Sequence, residues 1–503
     1  MMKKGLIALG MALLLFGAGT YLGRSSKRDV MITSSTAGAS YSGGFKADGA
    51  SATVIRSVAG PAPNNVVVVK NGESIQAAIK AAPAGTMVRV MPGTYHETVY
   101  IDKDDIRIVG VIEESRRAVL GGEKKLNDAI LYSGNNFVAE NLEIRNYKGN
   151  GIMGQAGNNF EIRNNVIASS GVYGIFPQLG QNGIVEHNVV SGIADAAIYI
   201  GMSDNILVAH NEVFDSVAGI EIENSRHAIV EHNYVHDNSG GLLAFVTPGL
   251  PIKTTVDVIF RNNFVVKNNH ANFGAPGSTV SGIPAGTGIL VMAADDVVIE
   301  GNVITDNKVS GVIITDHAHA SNITADPESD PNSDRVKLLD NVMLNNGYDT
   351  IKEAKALLLA DGKVGKTNLD IVRVGPSPGS CIVNRHQYVT AGVGDFAECE
   401  FTNTAATANY LLPPVPPRVI EPGERGKVVY LGICSGCHVY NGRMIGPPVQ
   451  AIQALYMENP QGLADYIAHP QKKREDYPEM PPQDYLDPQT RLAVANYMLK
   501  VTN

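Results

Sequence analysis

The central part of the chain repeats one short pattern of polar and apolar positions. An asparagine followed within two residues by an apolar residue recurs at steps of 22 to 39 residues. The asparagines of this series are Asn165, Asn188, Asn211, Asn233, Asn263, Asn302 and Asn341. A step near 22 residues fits one turn of a three-stranded coil, and a longer step fits the same turn with an inserted loop. Stacked coils bring identical amides together at a strand spacing of about 4.8 Å. The pattern therefore predicts a mainly β chain that winds into a parallel solenoid of about ten coils.

A second marker, a small residue followed by an aliphatic one, comes about nine residues after most of these asparagines. Alternation with period two then places Ile220 and Ile222 inside the solenoid and Glu221 and Glu223 outside it. The equivalent outward positions in successive coils are Met153, Phe176, Tyr199, Glu221, Leu243, Leu290 and Ile313. Because this outward column is so apolar, we expect that its surface is covered. The inserted loops or the C-terminal domain could cover it.

Composition shifts and proline clusters outside the repeat divide the chain further. A helix over Ile351–Leu359 is expected to cap the open end of the solenoid. The predicted segments are a leader or membrane anchor (1–29), a flexible spacer (30–64), the solenoid (65–347), a cap with a disulfide (348–412), a Pro-rich linker (413–422) and a small all-α domain (423–503).

The repeat resembles the right-handed parallel β-helices of the pectate-lyase-like superfamily. Within it, the runs beginning at Gly219, Pro248 and Pro284 look like a bacterial family of exported β-helix repeat proteins of unassigned function. The superfamily contains polysaccharide lyases, galacturonases, uronate epimerases and a periplasmic copper-site maturation protein, so fold alone does not choose a function. The Asp-Pro-His-Asp run of mannuronan epimerases and the Asn-Thr-Asp run of galacturonases are absent from the sequence.

The C-terminal part carries the run Cys434-Ser435-Gly436-Cys437-His438. Two thiols at this spacing, followed at once by a histidine, indicate covalent attachment of a c-type haem with His438 as an axial iron ligand. Met480, in a proline-rich loop, suits the second axial position because prolines hold the soft thioether in place. Met444 is the weaker candidate for that position.

From Gly423 to the C-terminus the chain resembles a monohaem class I cytochrome c. A predicted helix over Glu424–Ile433 enters the haem motif, and a closing helix over Asp487–Val501 follows an Asp-Pro start. The resemblance implies ligation by His438 and Met480, one covalent haem c, and one-electron transfer to or from a redox partner protein.

Charge and cysteine content limit the possible partners and the cellular location of the protein. The formal charge is −9, without a basic block beyond the leader, which argues against nucleic acid as a partner. Haem is attached to such a motif outside the cytoplasm. An apolar run over residues 5–23 between basic residues agrees with export to the periplasm, by a signal peptide or an inner-membrane tether. After Cys434 and Cys437 are assigned to haem, Cys381 and Cys399 remain and are expected to form a disulfide.

Two groups in the solenoid are candidates for catalysis. Glu221 and Glu223 would be paired carboxylates in a partly desolvated strip, where a carboxyl pKa rises towards usefulness in acid–base chemistry. Asp316 could orient His317 or His319 as a base, or this group could bind a metal. In both groups a purely structural role is the alternative. An acidic loop over residues 326–334 offers Ca²⁺ ligands at every second position but lacks the glycine of a sharp turn, which favours an ordinary loop.

Three hypotheses for the β-helix follow. It binds or scaffolds a polysaccharide or partner protein beside an electron-transferring haem. Alternatively it is a carbohydrate-active lyase or epimerase, or it aids metal-cofactor maturation. The missing enzyme motifs favour the first.

Overall fold

Three parallel sheets wind around one hydrophobic core. The computed structural model describes residues 57–320, 323, 326–363, 365, 367–405 and 415–502, so the predicted leader and most of the spacer lie outside it. Solenoid and C-terminal domain belong to one unit, residues 55–503. In the part of the chain that the structure describes, no helix combines the length and hydropathy needed to cross a bilayer.

Each complete coil contributes one strand to each sheet, the two ends are incomplete, and neighbouring strands in a sheet come from successive coils. Sheet 1 contains Asn65–Val69, Thr86–Val90, Arg107–Gly110, Val138–Glu140, Glu161–Arg163, Gln181–Glu186, Asp204–Ala209, Arg226–Glu231, Val256–Arg261, Asp295–Glu300, Lys337–Leu339 and Cys381–Ile382. Sheet 2 contains Gly93–Tyr95, Ala118–Gly121, Leu142–Arg145, Val166–Ala168, Val189–Ser191, Glu212–Phe214, Tyr234–His236, Phe264–Val266, Val303–Thr305 and Val342–Leu344. Sheet 3 contains Val99–Ile101, Ile130–Tyr132, Ile152–Gln155, Ile175–Gln178, Ala196–Gly201, Ala218–Glu223, Gly240–Phe245, Thr287–Met292, Ser310–Thr315, Ile371–Arg373 and Thr390–Ala391.

The predicted asparagine ladder is present at one corner of the coil. Asn188 donates its Nδ2–H to Asn211 Oδ1 at 3.0 Å, and Asn211 donates to Asn233 Oδ1 at 2.9 Å. The residue before each ladder asparagine adopts the left-handed conformation that turns the corner, as His187 and His210 do with φ of 57°. A second ladder, which we did not predict, runs through Asn238, Asn268, Asn307 and Asn346. Both ladders satisfy buried backbone groups at turns that no regular strand pairs.

The two ends of the core are closed differently. At the N-terminal end, a helix over Ile75–Ala81 inserts Ile75 and Ile79 into the core. The Glu97 carboxylate accepts hydrogen bonds from two backbone N–H groups in the first turn of this helix, where a negative charge is favourable. At the C-terminal end, Val393 and Phe396 enter the core from the segment stapled by the Cys381–Cys399 disulfide.

Two expectations about this C-terminal end need correction. The solenoid does not stop at residue 347, because the strands Ile371–Arg373, Cys381–Ile382 and Thr390–Ala391 extend sheets 1 and 3 into a further coil. The helix expected to cap the open end spans Lys352–Ala360 and lies on the side of the solenoid instead. Its Ala354 and Leu358 pack on the outer face of sheet 3, since that face offers the larger apolar surface.

The C-terminal domain is all-α, as predicted. Its α-helices are Arg425–Val429, Val449–Leu455, Pro460–Ala468 and Pro488–Met498, and the first continues as a π-helical turn over Tyr430–Cys434. Three short 3₁₀ turns of the solenoid are Thr279–Gly282, His317–His319 and Arg385–Gln387. The closing helix is capped by Asp487, whose side chain accepts from Thr490 N–H at 3.0 Å. It crosses the first helix so closely at Gly426 that a Cβ there would collide with Ala493 O.

Candidate haem site and the adjoining cavity

His438 is held in the orientation that an axial ligand needs. It is 8 % exposed, and its Nδ1 donates to Pro447 O at 2.8 Å, which leaves the Nε2 lone pair for iron. Burial lowers the pKa of His438, so the imidazole is neutral and able to ligate. A Cβ on Gly446 would collide with the His438 ring, so only glycine fits beside it. Cys434 and Cys437 are unpaired and half-buried at the end of the π-helical turn. These residues fit a covalently attached haem, which supplies a one-electron redox centre.

The two methionine candidates lie in different environments. Met480 packs against the hydrophobic core of the C-terminal domain, the cluster that also contains Cys434. Met444 packs instead with Met202, Leu250 and neighbouring apolar residues, on the side of the solenoid. Met480 thus shares a cluster with a haem-attachment cysteine, and Met444 does not.

The C-terminal domain is docked on sheet 3 of the solenoid. Gln178 donates its Nε2–H to Leu431 O at 2.9 Å, in the turn that leads into the haem motif. Its amide oxygen also lies 3.1 Å from where a Cβ of Gly436 would be, between the two haem cysteines. Gln155 donates to the Tyr485 hydroxyl at 2.7 Å. The haem-attachment turn therefore rests directly on the outer face of the β-helix.

The described part of the linker, residues 415–422, is fastened to the solenoid as well. Asn159 exchanges two hydrogen bonds with the backbone of Val415, at 2.7 and 2.9 Å. The Arg418 guanidinium donates to Ala156 O and to Leu179 O, each at 3.0 Å. The linker thus fixes the haem domain in position rather than tethering it loosely.

A partly open cavity lies between the two domains. Sheet 3 and its turns supply Tyr173, Asp195, Tyr199, Glu221 and Glu223 to its wall. The haem loop, which we define as residues 434–445, supplies Gly436, Val439, Asn441, Gly442, Arg443, Met444 and Ile445. The remaining wall consists of residues 247–250, 277–280, 323, 326 and 327. The outward column of sheet 3 is buried along its whole length, from Met153 to Ile313, so it is covered as its apolar character predicted.

The carboxyl groups of Asp195, Glu221 and Glu223 form what we call the acid cluster. Glu221 is 2 % exposed, and its Oε2 has no hydrogen-bond partner among the described residues. The Glu223 carboxylate accepts hydrogen bonds from the hydroxyl groups of Tyr199 and Thr247. The Glu221 Oε2 is thus an unsatisfied buried acceptor in a residue that lines the cavity.

Burial dominates the electrostatics of the acid cluster. It raises the pKa of Glu221 well above the usual range, and the negative charges of Glu223 and Asp195 raise it further. The pKa of Asp195 is raised for the same reasons. The pKa of Glu223 is also raised by burial, although the hydrogen bonds it accepts oppose the shift. The cluster therefore prefers to hold protons or to receive hydrogen-bond donors.

Asp316 and His317 do not reach this cavity, since neither belongs to its wall as far as the structure describes it. Asp316 caps the 3₁₀ turn by accepting from His319 N–H at 2.9 Å, and it also accepts from His319 Nδ1 at 2.7 Å. His317 is buried, with its Nε2 2.8 Å from Val246 O. These contacts are those of a structural group.

Within the described ranges, one group of three acids, Asp295, Asp330 and Asp334, has carboxylate oxygens that lie within 4.8 Å of one another, close enough to share a metal ion. The acidic loop contributes two of them, but its Asp326 turns away to pair with Lys253 at 2.9 Å. The alternating acidic positions of the loop thus do not converge on one point.

Tyr173 and Asp195 are cavity residues that the sequence reasoning missed. Each lies in the turn before a sheet 3 strand, outside the repeated Asn and Gly-Ile positions. The ring of Tyr173 lies 4.7 Å from Phe176 and 4.6 Å from Tyr199, measured between centroids. The aromatic ring of Tyr173 was an available signal, whereas the turn that carries Asp195, residues 192–195, has no such mark.

Comparison with known proteins agrees with this architecture. Residues 126–249 match the family described as the right handed beta helix region, and residues 423–502 match cytochrome c. No curated protein sequence matches the chain.

Several solved structures are similar to the solenoid. The A-module of mannuronan C-5 epimerase AlgE4 from Azotobacter vinelandii is 13 % identical, with a TM-score of 0.44, covering 67 % of this chain and 90 % of its own. An alginate lyase from Paenibacillus sp. str. FPU-7 is 14 % identical, with a TM-score of 0.43, covering 57 % and 99 %. A mutant of DFA-IIIase from Arthrobacter chlorophenolicus A6, in complex with DFA-III, is 14 % identical, with a TM-score of 0.44, covering 68 % and 100 %.

The chain is a right-handed parallel β-helix fused to a C-terminal cytochrome c domain with covalently bound haem c.

Proposed function

We propose that this protein is an exported electron carrier whose β-helix also binds a small neutral, hydroxyl-rich ligand, such as a sugar or the end of a polysaccharide, beside the haem. Cys434 and Cys437 hold the haem covalently, and His438 and Met480 are the axial ligands. A periplasmic protein is the redox partner. Whether residues 1–29 are cleaved or serve as an inner-membrane tether does not affect the site.

One observation carries the proposal: a single cavity has walls from both the acid cluster and the haem loop. An electron-transfer domain on a passive support needs no buried polar cavity at the contact. Leaving the buried Glu221 Oε2 without a partner costs about 1–3 kcal/mol. A hydroxyl group of a ligand would remove that cost.

The lining favours hydroxyl groups over carboxylates. The Tyr173 and Tyr199 rings offer apolar faces, while the acid cluster accepts hydrogen bonds. Arg443, the cation in the wall nearest the haem motif, is already paired with Asp476 at 3.3 Å. A uronate would therefore place its own negative charge beside three acids that no cation among the described residues pairs with in a salt bridge.

The test is equilibrium binding to the purified holoprotein, using neutral oligosaccharides and uronate oligosaccharides of equal length. Neutral ligands are expected to bind and uronates to bind at least tenfold more weakly. Glu221→Ala is expected to weaken neutral binding about tenfold, as the loss of about 1.4 kcal/mol implies. Glu143→Ala, which removes a carboxylate paired with Arg145 on sheet 2, is the matched control. If Glu221→Ala bound neutral oligosaccharides as tightly as the native protein does, the ligand-binding part of the proposal would be wrong.

The second candidate is a carbohydrate-active enzyme, favoured by the raised pKa of Glu221, which suits a general acid. The same titrations decide it when ultraviolet–visible spectra are recorded. A rising ultraviolet band with an unchanged haem spectrum indicates β-elimination by a lyase. Sharpening of the visible haem band indicates that sugar oxidation feeds the haem. An epimerase would be revealed by product analysis. For a role in metal maturation, the contacts of His317 and His319 offer no support.

A further inference from the structure

We infer that the acid cluster is a proton-binding site linked to the haem: it takes up a proton when the haem domain is reduced and releases it on oxidation. The inference goes beyond ligand binding and does not depend on it, because it concerns the cavity without a sugar.

The geometry places the cluster against the haem-attachment motif. Gly436, between the two haem cysteines, and Val439, next to His438, form the wall opposite Glu221 and Glu223. Only a partly enclosed cavity separates the cluster from the motif, so a change of charge at the motif acts on the cluster with less screening than in bulk water.

The groups that surround Glu221 make its protonation sensitive to a change of charge at the haem motif. Asp195 and Glu223 face it from sheet 3, together with the phenols of Tyr173 and Tyr199. The loop carrying Asp326 contributes an acid that Lys253 already neutralises at 2.9 Å. From the haem loop comes Arg443, which pairs with Asp476 at 3.3 Å, a carboxylate that Arg474 also contacts at 2.6 Å. Arg443 is thus turned to Asp476 and not to the acid cluster, so protons are the charges nearest to hand for balancing the cluster.

The proposed coupling between electron uptake by the haem domain and proton uptake by the acid cluster conserves charge. An electron from the redox partner adds one negative charge to the haem domain, which makes a second nearby negative charge less favourable. One proton enters from solvent through the open side of the cavity and converts one carboxylate of the cluster into a carboxylic acid. Oxidation returns the electron to the partner and the proton to solvent. No bond to carbon is made or broken.

The experiment is a spectroelectrochemical titration of the full-length holoprotein from about pH 5 to 9, a range that spans the raised pKa values of buried carboxyls. The midpoint potential of the native protein is expected to fall as pH rises. Glu221→Gln keeps the side-chain shape but removes the titrating group, and it is expected to reduce that slope by at least half. Asp195→Asn serves as a second variant in case one substitution impairs folding, and Glu143→Gln is the matched control.

A second measurement identifies the group directly. The infrared difference spectrum between reduced and oxidised protein is expected to show a protonated carboxyl band that Glu221→Gln removes or diminishes. A native potential that is independent of pH would overturn the inference. The inference would also be overturned if both Glu221→Gln and Asp195→Asn kept the native dependence of midpoint potential on pH. An equal loss of that dependence in the control Glu143→Gln would overturn it as well. Because no sugar is present, failure of the ligand proposal leaves these results unaffected, and the reverse also holds.

Discussion

Gln155 of the β-helix donates its Nε2–H to the hydroxyl of Tyr485 in the cytochrome domain over 2.7 Å, across 330 residues of sequence. The Tyr485 ring also lies 4.7 Å from the ring of Tyr100, measured between centroids. Such contacts hold the β-helix and the cytochrome domain together as one body. The haem motif lies at the contact between them. The functional proposals depend on that docking, so it is the first relationship to test.

Arg418→Ala is expected to loosen the docked domain. The guanidinium satisfies two carbonyl groups of the solenoid, and a hydrogen bond from a charged group contributes about 1.5–3 kcal/mol. Hydrogen exchange of backbone amides at the contact, such as Ala156, is expected to accelerate about tenfold or more. Arg474→Ala, which removes a surface arginine paired with Asp476 inside the haem domain, is the control and is expected to leave exchange unchanged. Unchanged exchange in Arg418→Ala would mean that the linker does not hold the domain.

Asn211→Ala is expected to destabilise the solenoid by about 3 kcal/mol. Asn211 donates to Val185 O and Asn233 Oδ1, and it accepts from both the backbone and the side chain of Asn188. Its loss leaves several buried polar groups without partners, each at a cost of about 1–3 kcal/mol before relaxation. The midpoint of urea unfolding, monitored by circular dichroism, measures the effect. Asn496→Ala, which removes one bond from a helix surface to Leu492 O, is expected to change stability by at most about 0.5 kcal/mol.

The repeat made much of the solenoid predictable. A ladder asparagine and a period-two strand recur in each coil, so they specify register as well as element type. The same logic placed Glu221 outward on a covered face. It did not extend to the final coil, because the strands Ile371–Arg373, Cys381–Ile382 and Thr390–Ala391 lack the ladder asparagine and are held by packing and a disulfide.

The docking of the cytochrome domain was beyond sequence reasoning. The contacts that define it, such as Gln178 to Leu431 O, join residues 253 positions apart and follow no local pattern. Asp195 shares a cavity with the haem loop although no local pattern links the two segments. Tertiary packing, rather than a motif, creates that site.

Met480→Leu is expected to remove the second axial ligand, whereas Met444→Leu is expected to leave it in place. Met480 packs with the core of the haem domain, while Met444 packs towards the solenoid. Iron-bound methionine shifts its methyl resonance strongly upfield in the proton spectrum of the reduced protein. That resonance is expected in the native protein and in Met444→Leu and to be lost in Met480→Leu, together with a fall in midpoint potential. The opposite pattern would assign the ligand to Met444.

Asp128 is expected to make the protein less stable as pH rises from about 4 to 6. Burial raises its pKa from 3.8 to about 6, although it accepts hydrogen bonds from the backbone and side chain of Asn150. In this window the unfolded chain has lost the proton that the folded chain still holds, so the free energy of unfolding falls with pH. Above about pH 6 both states are ionised and the loss is constant, at roughly 3 kcal/mol for a shift of this size.

Asp128→Asn keeps the Oδ1 acceptor for Asn150 and removes the titration. The variant is expected to be more stable than the native protein at pH 8, with little difference at pH 3.5, when urea unfolding is compared at both values. The acid cluster contributes a slope of the same sign, because the folded-state pKa values of its members are also raised. The difference between native protein and variant isolates Asp128 from that background. A difference in stability that does not grow between pH 3.5 and 8 would show that the buried Asp128 carboxyl titrates in the folded protein as it does in the unfolded chain.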